Sequence, residues 1–203
     1  MVVRAVVFDI GGVLQNVRPM DFFYAWDLRL GLDDGQVGQR TADLWLAGNL
    51  GSIDERQLRE GLAQRLMITK STVDELLEDM WGQYLGSANQ AMVDCLHGLR
   101  PRFRTGLLSN SFIGAREREE RAYGYSGLVD DIVYSHEVGI EKPDPRIYEI
   151  ACQRLEVEPT DVVFVDDAQM AVDGAKAVGM VGILHQDNAA TTTKLAEALN
   201  FAS

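Results

Sequence analysis

The feature that most constrains the fold is a set of short, nearly continuous apolar runs that stop abruptly at polar or glycine residues. They cover residues 5–8, 103–108, 131–134 and 162–165, with a shorter fifth at 181–184. A strand covered on one face alternates apolar and polar side chains, whereas a strand buried on both faces reads as an unbroken apolar run. Helical patterns lie between the later runs, at 88–99, 115–122, 145–155, 168–178 and 191–199. Strand and helix in alternation predict an α/β fold with a doubly wound, mostly parallel sheet and a Rossmann-like core.

Residues 15–86 break this rhythm. They carry no strand signal and predict about four amphipathic helices. Leu58, Leu62 and Leu66 recur every four residues and mark one buried face. Ser52 with Glu55 is expected to form a capping box, and residues 71–74 to cap the next helix. A helical block inserted directly after the first strand is expected to sit as a cap over the sheet's C-terminal edge. The expected division is a core of residues 1–14 and 87–203 and a helical cap of residues 15–86.

Bulk properties exclude several classes. The 203 residues are 46% apolar and 25% charged, which fits a folded, water-soluble chain. No apolar run approaches the roughly 20 residues needed to span a bilayer, and the N-terminus leads into a strand without a signal-peptide pattern. No membrane association is therefore expected. A net charge of -12 repels nucleic-acid phosphates, so no nucleic-acid partner is expected either. Cys95 and Cys152 are isolated, as in a reducing, cytoplasmic setting rather than a disulfide framework. A monomer or a homodimer is compatible with all of this.

The residues that end the apolar runs carry the chemistry. Phe8 is followed by Asp9, then Ile10, Gly11 and Gly12; the second run ends in Ser109 and Asn110. Past the third lies Gly139-Ile140-Glu141-Lys142-Pro143-Asp144-Pro145, and the fourth closes on Asp166 and Asp167. A doubly wound sheet gathers its ligands at the carboxyl ends of its strands. A strand-end Asp or Ser-Asn can simply cap the next helix. Adjacent carboxylates closing a buried strand instead repel each other unless a cation lies between them, which points to a metal.

In these four clusters the chain resembles the haloacid dehalogenase-like hydrolase superfamily over most of its length. Within it, the chain is most similar to small helical-cap members such as sugar-1-phosphate phosphatases and the N-terminal domains of epoxide hydrolases. The resemblance implies a hydrolase, a phosphoric monoester phosphatase acting on a small phosphorylated substrate. Asp9 would be the nucleophile that forms an aspartyl phosphate, and Lys142 the cation that neutralises charge on it. Ser109 and the backbone amides around Gly11 and Asn110 would hold phosphate oxygens. Mg²⁺ would be held by Asp9, the Gly11 carbonyl and Asp167, with Asp166 bound directly or one shell out.

The chain departs from the family at Gly11, where most phosphatases carry a second Asp that protonates the leaving oxygen. Positioned acid–base catalysis is worth about 10²- to 10⁴-fold. Three readings follow: a phosphatase with easy leaving groups or an acid from elsewhere, a phosphate-binding protein with little turnover, or a metal-independent 2-haloacid dehalogenase, since halide leaves without a proton. Dehalogenase relatives lack the acidic pair that this chain keeps. Glu141 and the cap residue Asp21 are the candidates for a substitute acid, and Gly11→Asp is expected to raise turnover on alkyl phosphates unless another group fills the role. Arg18 is a candidate to meet a second anionic group. Trp26, Trp45 and Trp81 are expected to pack the cap, with an aromatic such as Tyr24 available to line a pocket. His97, His136 and His185 lack metal-ligand spacing. The charge-rich stretch 116–121 is expected to be a solvated helix face.

Overall fold

The computed structural model describes residues 2–200. Five parallel strands, β1 (Ala5–Phe8), β4 (Arg104–Ser109), β5 (Asp131–Tyr134), β6 (Val162–Asp166) and β7 (Val181–Leu184), form one sheet in the order β5-β4-β1-β6-β7. The apolar runs are unbroken because successive side chains enter two different cores. Val6, Phe8, Leu107, Ile132, Val163 and Val165 face one, and Ala5, Val7, Leu108, Val133, Val162 and Phe164 the other. Helices α8 (Pro145–Leu155) and α9 (Gln169–Ala177) cover the second face; α5 (Gln90–Gly98) and α10 (Asn188–Asn200) pack on the first. The expected α/β architecture is therefore present, with strand ends shifted by one residue at β4 and β6.

The inserted segment contains α1 (Phe22–Leu30), α2 (Gln36–Asn49), α3 (Glu55–Leu66) and α4 (Lys70–Leu85). Two capping expectations are corrected. Asp54, not Ser52, caps α3: its carboxylate accepts from Gln57 N–H at 2.7 Å while the Gln57 side chain accepts from Asp54 N–H at 2.9 Å. Ser52 Oγ instead donates to the Ala47 carbonyl. Helix α4 begins before the 71–74 stretch and is capped by Thr69, whose hydroxyl accepts from Thr72 N–H. The strand-free reading of residues 15–86 also needs amendment, because β2 (Gln15–Asn16) pairs antiparallel with β3 (Ser87–Ala88). This small ladder ties the two chain crossings together, and Asn89 adds a hydrogen bond from Nδ2 to the Val13 carbonyl at 2.9 Å.

The four helices are seated on the sheet by one shared apolar cluster rather than by a separate core. Leu58, Leu62, Trp26 and Trp81 belong to the cluster that contains Phe8 and Leu107. Phe112, just after β4, packs its ring 5.4 Å from Trp45 and 6.0 Å from Trp81. Helix α6 (Ala115–Tyr123) adds polar ties: Arg118 pairs with Glu55 at 2.7 Å and Tyr123 Oη donates to the Leu85 carbonyl at 2.7 Å.

Gly48, inside α2, lets the Phe112 ring close on the helix: a methyl group there would overlap the ring. Alanine ordinarily stabilises a helix interior by about 1 kcal/mol over glycine, whereas overpacking costs about 1–3 kcal/mol. Phe112 is held between two tryptophans, so the clash should win. Gly48→Ala is expected to lower the urea midpoint at unchanged m-value; a raised midpoint would contradict this packing.

Candidate active site

Asp9 lies one residue past β1, the central strand, and its N–H donates to the Val165 carbonyl at 2.8 Å. That bond places its carboxyl beside the end of β6. The short α7 (Ser135–Val138) ends at Gly139, and the loop that follows delivers Lys142. The Asn110 side chain holds this loop with a reciprocal pair: Lys142 N–H donates to Asn110 Oδ1 at 2.8 Å, and Asn110 Nδ2 donates to the Lys142 carbonyl at 3.0 Å. The Asn110 amide group is thus committed to positioning Lys142.

Lys142 is buried, and its ammonium reaches three acceptors. Nζ donates to Asp9 Oδ1 at 2.8 Å, Asp166 Oδ2 at 2.6 Å and the Leu108 carbonyl at 2.9 Å. All three N–H donors are therefore matched. Burial pulls the Lys142 pKa down, but the Asp9 and Asp166 charges outweigh it and hold it above the usual lysine range. Burial pushes the Asp9 carboxyl up to about 7, against the pull of the Lys142 charge.

Asp9, Asp166 and Asp167 each offer a carboxylate oxygen within 4.8 Å of the others. Three carboxylates share one ammonium, so the cluster holds uncompensated negative charge. An all-oxygen donor set of this kind suits a hard divalent cation such as Mg²⁺. Asp166 is also engaged through Oδ1 by the Ala168 N–H at 2.8 Å, while Asp167 is the exposed member. Gly12 has φ +77°, and a Cβ there would strike the Asp167 carboxylate, so glycine is what allows the first loop to approach β6 this closely.

A cavity of about 260 Å³ opens from this cluster, lined by Asp9, Gly11 and Ser109 at one end and by Arg18, Tyr84 and Glu119 among others. The structure brings Asp9, Ser109, Asn110, Lys142, Asp166 and Asp167 together, and Gly11 and Arg18 border the same space. A Cβ on Gly11 would have no atom within 4 Å. Several expectations are corrected. Tyr24 is exposed and Tyr84 is the cap aromatic that lines the cavity. Asp21 is taken up by Gln83, whose Nε2 donates to it at 2.8 Å, and neither Asp21 nor Glu141 lines the cavity. His136 Nδ1 lies 2.7 Å from Ser111 Oγ, also away from the cavity.

Glu119 was missed. It lies within the charge-rich stretch 116–121 yet is 1% exposed. Its signal is weak but present: Ala115, Glu119 and Tyr123 share one face at i, i+4 spacing, so Glu119 sits on the apolar side of α6.

The sequence model of the haloacid dehalogenase-like hydrolase family matches residues 3–179, and the chain belongs to that family. An (S)-2-haloacid dehalogenase of a Pseudomonas species is 28% identical over 191 residues, covering 87% of this chain and 82% of the relative. A phosphatase of Mycobacterium tuberculosis is 29% identical over 191 residues, covering 89% of this chain and 86% of the relative. The fold is shared with a family enzyme from Bacteroides thetaiotaomicron solved with magnesium and inorganic phosphate (TM-score 0.76, 19% identity, 91% of this chain and 94% of that one).

Lys142→Met leaves Asp9 and Asp166 facing each other with no cation, at a cost of about 3–5 kcal/mol when both are ionised. Asp9 already has a folded-state pKa, about 7, above its ordinary 3.8, and removing Lys142 raises it further. A carboxyl whose pKa is raised by folding stabilises the fold less as pH rises from its unfolded value through its folded one. The variant's deficit in urea titrations with chelator present should therefore be wide at about pH 8 and narrow toward about pH 5. A deficit independent of pH would contradict the ion-pair geometry.

Proposed function

We propose that this protein is a Mg²⁺-dependent phosphatase that hydrolyses a small phosphorylated metabolite, of which a sugar phosphate is one candidate, through an aspartyl-phosphate intermediate on Asp9. The observation that carries the reading is a single one. The strand-end carboxylate of Asp9 shares a cavity with Ser109, is gripped by a buried lysine at 2.8 Å, and stands within 4.8 Å of two further carboxylates.

The roles follow from the chemistry of the groups. The Asp9 carboxylate attacks phosphorus, the ester P–O bond breaks, and water then cleaves the aspartyl phosphate to release inorganic phosphate and free Asp9. Ser109 Oγ and backbone amides near Gly11 and Asn110 bind phosphate oxygens. Lys142 fixes the orientation of Asp9 and opposes negative charge as it builds on the transferring group. Asp9, the Gly11 carbonyl and Asp167 would hold Mg²⁺, with Asp166 orienting Lys142 from one shell out. When bound, the ion supplies Lewis-acid neutralisation of the phosphate oxygens. Residues 15–86 serve as the cap that selects the substrate over a core of residues 1–14 and 87–203.

A second reading, dehalogenation of a 2-haloacid, draws support from Gly11 and from the Pseudomonas relative. The retained Asp166–Asp167 pair favours phosphoryl transfer, because halide departure requires no cation to balance phosphate charge. A protein that only binds phosphate would have no use for a lysine-held nucleophile.

Purified protein assayed with p-nitrophenyl phosphate and a panel of sugar phosphates is expected to release phosphate only with Mg²⁺ present, and Asp9→Asn to abolish release. Halide release from 2-chloropropionate without metal would establish the dehalogenase reading instead. Phosphate binding with neither activity would establish the binder.

A further inference from the structure

The loop after β1 delivers one carboxyl group to the cavity and leaves open space at Gly11. An alkoxide leaving group still needs a proton, and no side chain of that loop other than the nucleophile carries one. Of the groups lining the cavity, Arg18 is a guanidinium, too weak an acid to give up a proton near neutrality. Burial holds Tyr84 well above its ordinary value of 10.0, so it is no better suited. Asp9 and Glu119 are the only carboxyl groups among the described residues that line this space.

We propose that Glu119 protonates the leaving oxygen and then accepts a proton from the water that attacks the aspartyl phosphate, a step that rests on the phosphatase reading above. The geometry supports it at three points. Glu119 and Gln15 are each 1% exposed, and Gln15 Nε2 donates to Glu119 Oε1 at 3.2 Å. Gln15 is bridged to Gly11 through the backbone, so Glu119 is coupled to the segment where side-chain chemistry is missing. Tyr134 Oη holds Oε2 at 2.6 Å and fixes the carboxyl plane. Among the described residues, Oε1 takes only the 3.2 Å contact from Gln15, which leaves it able to carry and give up a proton.

The proton balance closes. In the first step the ester P–O bond breaks, Oε1–H passes to the departing oxygen, and Glu119 becomes a carboxylate. In the second, water attacks phosphorus, its proton returns to Glu119, and the P–O bond to Asp9 breaks. Burial pushes the Glu119 pKa up to about 7, offset by the Tyr134 and Gln15 hydrogen bonds and by Arg116 on the same helix. The other titratable groups facing it are Tyr84 from α4, Tyr123 at the end of α6 and Tyr125 in the turn after it. All three phenols have raised pKa values and stay neutral in this range. A group poised near neutrality suits alternating donor and acceptor roles.

The test uses p-nitrophenyl phosphate, whose leaving group departs without a proton, and benzyl phosphate, whose leaving group requires one. Glu119→Gln is expected to reduce kcat/KM, which reports the first step, by about 10²- to 10⁴-fold on benzyl phosphate and far less on p-nitrophenyl phosphate, while lowering kcat on both because the shared second step loses its base. The alkaline limb of the wild-type pH profile on benzyl phosphate should vanish in this variant. Tyr134→Phe removes a hydrogen bond that favours ionised Glu119, so it should move that limb to higher pH, a shift that a merely structural glutamate would not produce. Gly11→Asp is expected to restore benzyl phosphate turnover in the Glu119→Gln background and to add little to the wild type. Equal losses of kcat/KM on both substrates, or no loss on either, would overturn the assignment while leaving the phosphatase reading intact. No hydrolysis by the wild type of p-nitrophenyl phosphate would remove that reading, and this inference with it.

Discussion

One buried ammonium group organises this protein. Lys142 Nζ joins the end of β1, the end of β6 and the C-terminal end of β4, through Asp9, Asp166 and the Leu108 carbonyl. Taking a lysine charge out of water is unfavourable unless every donor finds an acceptor and at least one acceptor is charged. Both conditions are met, so the ammonium stays charged and the three strand ends are held in a fixed relation. One ammonium shared by Asp9 and Asp166, with Asp167 outside its reach, leaves the cluster with excess negative charge, which makes the site receptive to a divalent cation and, beyond it, to an anion. A protein with a net charge of -12 can thereby handle a phosphate group in one spot while repelling anions elsewhere.

The supporting residues divide this work. Asn110 grips the Lys142 backbone from just past β4, and Gly12 removes the bulk that would push the first loop off Asp167. The helices of residues 22–85 share their apolar contacts with the sheet through Phe112, which places Tyr84 over the cavity beside residues of the core. The antiparallel pairing of Gln15–Asn16 with Ser87–Ala88 is the narrow neck where the chain leaves and re-enters the core. The neck also positions Gln15, so the geometry of the insertion and the geometry of Glu119 are linked.

The strand ends were legible in the sequence because burial on both faces forces unbroken apolar runs, and a polar residue that ends such a run must lie at the sheet's edge. Asp9, Ser109 and the Asp166–Asp167 pair stood out in this way, whereas Lys142, in the loop beyond β5 and α7, was singled out by the resemblance of residues 139–145 to a family motif. What escaped has a common physical cause. The pairing partners of Gln15 and Asn16 lie more than seventy residues away, beyond any local pattern. Ser52 and Asp54 are both good caps, and only the backbone's path decides between them. Glu119 is surrounded by exposed charges along the chain; its spacing from Ala115 and Tyr123 hints at a buried face, but the partners that bury it, Gln15 and Tyr134, are tertiary contacts that α6 alone does not reveal. Which cap side chain reaches the cavity, Tyr84 rather than Tyr24, likewise depends on how the helices dock.

The central claim is that an oxygen of Asp9 becomes covalently attached to phosphorus during turnover. Borohydride reduction of acid-quenched enzyme, followed by peptide mass spectrometry, reads this directly, because an aspartyl phosphate is reduced to homoserine while a free carboxylate is not. The account predicts homoserine at position 9 only in samples quenched with substrate and Mg²⁺ present. Continued turnover with Asp9 unmodified, or homoserine or its analogue at any other acidic residue, would contradict it.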